Sequence, residues 1–134
     1  MPIELSYLSA CVALFFVYLL GEVVTGNLQY KPNELLGSRD NLAENNPALG
    51  RAKRATSNMI EAMIMFAPLI LIAALTDRLN DWTATGAAVF FFARAFYAPT
   101  YWLGVPILRS LLWGIGLVAT IIVFLQVIPF SGAA

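Results

Sequence analysis

Four stretches of this chain run for about twenty residues or more with almost no charge, and that feature decides most of what the chain can become. From Ile3 to Val24 the only charged residues are Glu4 and Glu22, and a hydrocarbon core of about 30 Å is crossed by about 20 helical residues. Three further apolar runs occupy about 51–76, 82–103 and 107–129. With 60% of its 134 residues hydrophobic and 12% charged, the chain has too little polar surface for a water-soluble domain of this size. Inside lipid each backbone amide must be paired within its own segment, so every run is expected to be a helix. The expected fold is therefore all-α, a four-transmembrane-helix antiparallel bundle forming one integral membrane domain. Its helices are placed at about 3–25, 51–76, 82–103 and 107–129, with a polar loop over 26–50.

Composition also excludes several functions. The net charge is zero, which argues against nucleic acid held on a basic surface. There is no histidine, so neither imidazole catalysis nor imidazole metal ligation is available, and no metal is expected. The single cysteine, Cys11, has no partner for an internal disulfide or a thiolate cluster. Leu8-Ser-Ala-Cys11 resembles a lipoprotein cleavage box, but no basic segment precedes it, and Cys11 reads as a small hydrophobe. The acidic start of the first run and the lack of a small-residue cleavage site after it argue against a cleavable signal.

The polar loop carries Lys31, Pro32, Glu34, Gly37, Ser38, Arg39, Asp40, Asn41, Glu44, Asn45, Asn46 and Pro47. Clusters of this kind read as loop, and Pro47 suits the start of the next helix. Of the eight basic residues, five (Lys31, Arg39, Arg51, Lys53 and Arg54) lie in or beside this segment. Cytoplasmic loops are rich in Lys and Arg, so both termini are expected to face away from the cytoplasm. Arg78, flanked by Asp77 and Asp81, is the one dissenting charge. Short turns at both ends of the third run require runs two, three and four to be sequential antiparallel neighbours. Ser110 with Gly114, and Ala84 with Ala88, are spaced for close helix approach. Pro68 sits inside the second run, where a membrane helix tolerates a kink.

Polar side chains inside these runs are few and patterned. Arg51, Arg54, Asn58 and Glu61 are spaced by three, four and three residues, which stacks them on one helical face. Arg94, Tyr97 and Tyr101 share a face of the third run, and Arg109 with Ser110 opens the fourth. Each would cost several kcal/mol if left unpaired in hydrocarbon, so they are expected to meet one another or a polar ligand. Four arginines against Glu61 describe a cationic pocket for a ligand with several anionic groups and one cationic group. Guanidinium groups clamp carboxylates bidentately, Glu61 suits an ammonium, and Arg109 with Ser110 can favour a thiolate on the ligand. Glutathione has this charge pattern, although charge alone does not single it out. The plainer readings are an internal ion-pair network, with Arg94 bound to Glu61 or Glu22, a snorkelling Arg109, and an aromatic belt containing Trp102 and Trp113. Met59, Met63 and Met65 are expected only to pack or to face lipid.

The pattern Arg51-x-x-Arg54-Ala55-x-x-Asn58-x-x-Glu61, then Phe66, Arg94, Tyr101 and Pro106-x-x-Arg109-Ser110, resembles the MAPEG superfamily, the membrane-associated proteins in eicosanoid and glutathione metabolism. The likeness is ordered across runs two to four, while the first run resembles the family only in being apolar. It implies a bacterial-type member, in an inner membrane if bacterial, with four-helix protomers in a homotrimer and glutathione as cosubstrate between protomers near the cytoplasmic side. By that likeness Arg54, Asn58, Glu61 and Tyr101 bind glutathione, Arg51 and Arg94 support the pocket, and Arg109 and Ser110 stabilise the thiolate. Ser57, Tyr97 and Trp113 stand where some members carry arginine, histidine and a glutathione-contacting tyrosine. The implied activity is a glutathione transferase or peroxidase acting on lipophilic electrophiles or lipid hydroperoxides. The rival readings are a non-catalytic lipid-binding or scaffold member and, more remotely, a transporter or channel component, for which no continuous polar path is evident.

Overall fold

The computed structural model describes residues 1–29 and 47–128. The expected polar loop falls largely on residues outside the described ones, as does Pro129. Four helices follow in order: α1 (Ile3–Gln29), α2 (Pro47–Leu75), α3 (Asp81–Trp102) and α4 (Pro106–Val127). α2 begins a turn earlier than the apolar pattern suggests, because Pro47 fits the first turn of a helix, where an amide proton has no partner anyway. Among them, α1, α2 and α4 are long and apolar enough to cross a membrane. α3, with 22 residues, spans about 33 Å at 1.5 Å per residue and carries the buried Arg94.

The helix ends explain why the chain turns where it does. Asn80 caps α3 by accepting from the Thr83 amide, and Thr83 returns the bond to the Asn80 amide at 2.8 Å. At the other end, the amides of Gly104 and Val105 donate to the carbonyls of Tyr101 and Thr100, a Schellman turn that needs the left-handed φ of 74° at Gly104. α2 ends in the same way, with the Arg78 amide on the Ala73 carbonyl and Asp77 at φ 55°. Both turns send the chain straight back, so α2, α3 and α4 alternate in direction.

α2 and α3 form the centre of the bundle: α1 packs on both, α4 packs on both, and α1 and α4 do not touch. Phe66 of α2 and Phe90 of α3 stack at 3.9 Å between ring centres in the core they share with Met59, Ile70, Ala87 and Val123. Close approach between helices within the protomer does not occur at Gly114, one of the expected small residues. A Cβ on Gly114 would meet nothing within 4 Å, whereas one on Gly86 would lie 2.7 Å from Val123 and one on Gly21 2.5 Å from the Trp102 ring. Spacing alone identifies small residues but not which face of the helix they occupy.

Cys11 is fully buried in the core, as a small hydrophobe would be. A second polar cluster lies at the other end of the bundle, around the start of α3. Glu4 is 4% exposed and accepts a 2.8 Å hydrogen bond from the Thr83 hydroxyl, while Asn80 donates to Gln126 at 2.9 Å. Buried polar groups are therefore not confined to one half. Here they tie the start of α1 and the end of α4 to the start of α3.

Candidate functional site

The site is assembled around the last two turns of α3. Carbonyls at a helix C-terminus have no partners within the helix, and positive charge is favoured beside them. Arg51 satisfies one of them, its Nε donating to the Trp102 carbonyl at 3.0 Å, and its side chain lies against Gly104. One turn further along α2, Arg54 Nε donates to the Tyr101 hydroxyl at 3.1 Å. The Schellman turn brings the first turn of α4 back over the same ring, with the Arg109 guanidinium carbon 4.9 Å from its centre and that of Arg54 at 5.9 Å. Tyr101 thus holds two guanidinium groups on two different helices.

A cavity of about 570 Å³ opens here, lined by Asn58, Tyr97, Tyr101, Arg109, Ser110, Trp113 and Gly114. It brings together five of the residues singled out from sequence: Asn58, Tyr97, Tyr101, Arg109 and Ser110. Among the described residues no carboxylate neutralises Arg54 or Arg109, so their positive charge is available to a ligand. Ser110 and Gly114 also line a groove of about 460 Å³ between α3 and α4, walled by Val89, Leu111, Ile115, Val118 and Ile122. The polar cavity and the apolar groove therefore share one serine and one glycine.

Arg94 lies deeper, eight residues or about 12 Å before the end of α3. It is 1% exposed. Its guanidinium carbon sits 4.2 Å from the Tyr97 ring centre; Nη1 donates to Asn58 Oδ1 at 3.0 Å and Nε to the Met59 sulfur at 3.4 Å. Neither Glu61 nor Glu22 pairs with it, so the plainer salt-bridge reading gives way to an amide, a thioether and an aromatic face. Glu61 stands exposed on the protomer, lining with Asn58, Arg94 and Trp113 a small cavity of about 80 Å³. Arg51, turned to the α3 terminus, and Arg54, bound to the Tyr101 hydroxyl, line neither cavity.

Three contributors were not visible in the sequence pattern. Tyr18 is completely buried, and its hydroxyl donates to the Arg94 carbonyl at 2.8 Å, which anchors α1 to the site. Its signal is a hydroxyl in the middle of an otherwise apolar run. Met59, expected only to pack, is the sulfur acceptor for Arg94. Trp102 does not join a surface belt: its ring packs against Tyr18 and Gly21, and its indole nitrogen is buried. Trp113, 47% exposed, lines both cavities.

An all-helical membrane bundle with a donor-rich cavity at one end of its central helix pair is the class that this fold and site define. The family model described as the MAPEG family matches residues 7–128, nearly the whole chain, and the chain belongs to that family. No curated protein and no solved structure matches the chain in the same comparisons.

Proposed function

We propose that the protein is a glutathione-dependent integral membrane enzyme of the transferase or peroxidase type, acting on lipophilic electrophiles or lipid hydroperoxides. The observation that carries this reading is that Ser110 and Gly114 line both a cavity bearing the Arg109 charge and an apolar groove. Glutathione carboxylates fit Arg54 and the Asn58 amide, and its ammonium fits Glu61. Arg51 steadies the arrangement from behind, and Arg94 supports it from below. Arg109, aided by the Ser110 hydroxyl, favours the thiolate, which is the nucleophile. In a transfer, the sulfur forms a bond to the electrophilic carbon and the leaving group departs with its electron pair. With a hydroperoxide, the sulfur takes the terminal oxygen and the O–O bond breaks to an alcohol. A second glutathione then converts the sulfenate to disulfide and water.

Glu61 presents an exposed charge on a membrane helix, which supports a second copy of the chain covering that face and hence the homotrimer of the family resemblance. The basic cluster beside α2 supports a cytoplasmic site with both termini on the far side. The apolar groove also suits a lipid-binding member without thiol chemistry. Detergent-purified protein separates the two. The enzyme reading expects glutathione conjugation to a small aromatic electrophile, largely abolished in Arg109→Ala, whereas a lipid-binding member shows no conjugation above the uncatalysed rate.

A further inference from the structure

We infer that Arg94 is a positioning residue that fixes the Asn58 side-chain amide with its oxygen inward and its NH2 toward the cavity, so that Asn58 meets the ligand as a hydrogen-bond donor. The inference rests on the glutathione reading for the identity of the ligand, but its geometry stands on its own. A guanidinium has five N–H donors and no acceptor. Its 3.0 Å contact with Asn58 is therefore to the carbonyl oxygen, and the amide cannot turn over without leaving that oxygen unpaired and setting N–H against N–H. The remaining end of the amide has no partner among the described residues, and Asn58 lines both the 570 Å³ and the 80 Å³ cavities. What it offers there is two donors, suited to a carboxylate or carbonyl oxygen.

Arg94 itself is sealed from the larger cavity. It is 1% exposed, and its Nη2 is buried with no hydrogen-bond partner among the described residues. A guanidinium buried without a carboxylate is costly, and a chain under no functional demand has cheaper ways to fill the space. The charge is held in place from three sides, by Asn58 and Met59 of α2, by the face of Tyr97, and by the Tyr18 hydroxyl on its own carbonyl. Two of these neighbours, Asn58 and Tyr97, form the wall of the large cavity. Arg94 lines only the smaller cavity, so it acts on a ligand in the large one through the groups it orients.

Purified wild type is compared with Asn58→Asp, Asn58→Ala, Arg94→Met and the Asn58→Ala/Arg94→Met double variant, measuring thermal midpoint without ligand and glutathione affinity by calorimetry. Asn58→Asp keeps an oxygen for Arg94 but presents an acceptor to the ligand. Its midpoint is expected at or above that of wild type, with affinity at least tenfold lower. Arg94→Met is expected to weaken binding by a similar factor in the wild-type background, and by less than twofold when Asn58 is already alanine. Unchanged affinity in Asn58→Asp, or losses that multiply in the double variant, overturns the inference. If Arg94→Met does not fold, Asn58→Asp still decides. A wild type that binds no glutathione removes the ligand-facing half together with the glutathione reading. The contact half then stands or falls on whether Asn58→Asp raises the midpoint or lowers it.

Discussion

Arg109 reaches back across the Gly104 turn to lie 4.9 Å from the centre of the Tyr101 ring, so the first turn of α4 and the last turn of α3 share one aromatic side chain. The ring face attracts the guanidinium without neutralising it, as a carboxylate would. The charge is thus fixed in direction and still free to act on a ligand.

That freedom predicts a pH signature. With Arg109 present, a bound thiol ionises at lower pH than its ordinary value of about 8.5. In Arg109→Ala the thiol regains its ordinary value. The rate at neutral pH should fall by about 100-fold, the scale of losing one charge-stabilising donor, and should recover as pH rises through the thiol range. A pH–rate profile of conjugation for both proteins checks this; parallel profiles would deny Arg109 the role.

Tyr101 should behave as two separable parts. Tyr101→Phe loses the 3.1 Å bond from Arg54 but keeps the ring, and is expected to cost about 1 kcal/mol in glutathione affinity. Tyr101→Leu removes the ring under both guanidinium groups and should cost more, by about 1–2 kcal/mol. Calorimetry on the two variants orders them, and equal losses would mean that the ring contributes nothing.

Gly86 of α3 and Gly114 of α4 should respond oppositely to alanine. Gly86→Ala places a Cβ 2.7 Å from Val123 and 3.1 Å from the Ala119 carbonyl, and overpacking of this kind costs about 1–3 kcal/mol. Gly114→Ala meets nothing in the protomer and should leave the thermal midpoint unchanged or slightly raised. Gly114→Trp should keep the fold and fill space in the groove and the cavity that Gly114 lines, lowering activity toward long-chain substrates more than toward small ones. Melting curves and a chain-length series are the measurements.

Far from the arginines, Thr83 joins α1 to α3 through Glu4. Thr83→Val removes the donor to a buried carboxylate and half of the capping box, and should destabilise the bundle by about 1–3 kcal/mol. Glu4→Gln retains an acceptor for the hydroxyl and should cost less. Thermal unfolding in detergent checks the order.

How much of this could be read from the chain differs by kind of signal. The four helices follow from run length, and the grouping of Asn58, Tyr97, Tyr101 and Arg109 follows from helical spacing combined with short turns that force neighbouring helices to be antiparallel. Within the Arg51 to Glu61 stripe, spacing does not reveal that the four side chains go to different places: Arg51 to a helix terminus, Arg54 to Tyr101, Asn58 to Arg94, and Glu61 to the exposed face. Tyr18 on Arg94 spans 76 residues of sequence, and Glu4 on Thr83 spans 79. Contacts at that separation depend on which helices pack together, and no local period records it. A carboxylate partner for Arg94 is the plainer of the readings that the sequence allows, yet an amide, a sulfur and a ring face surround it.

Calorimetric titration of glutathione into the detergent-purified protein probes the whole account most directly. The expectation is saturable binding at millimolar concentration or below, weakened at least tenfold by Arg54→Ala and by Arg109→Ala while both variants keep the thermal midpoint of the wild type. No heat of binding and no thermal shift at millimolar glutathione, with the protein shown to be folded, would contradict it.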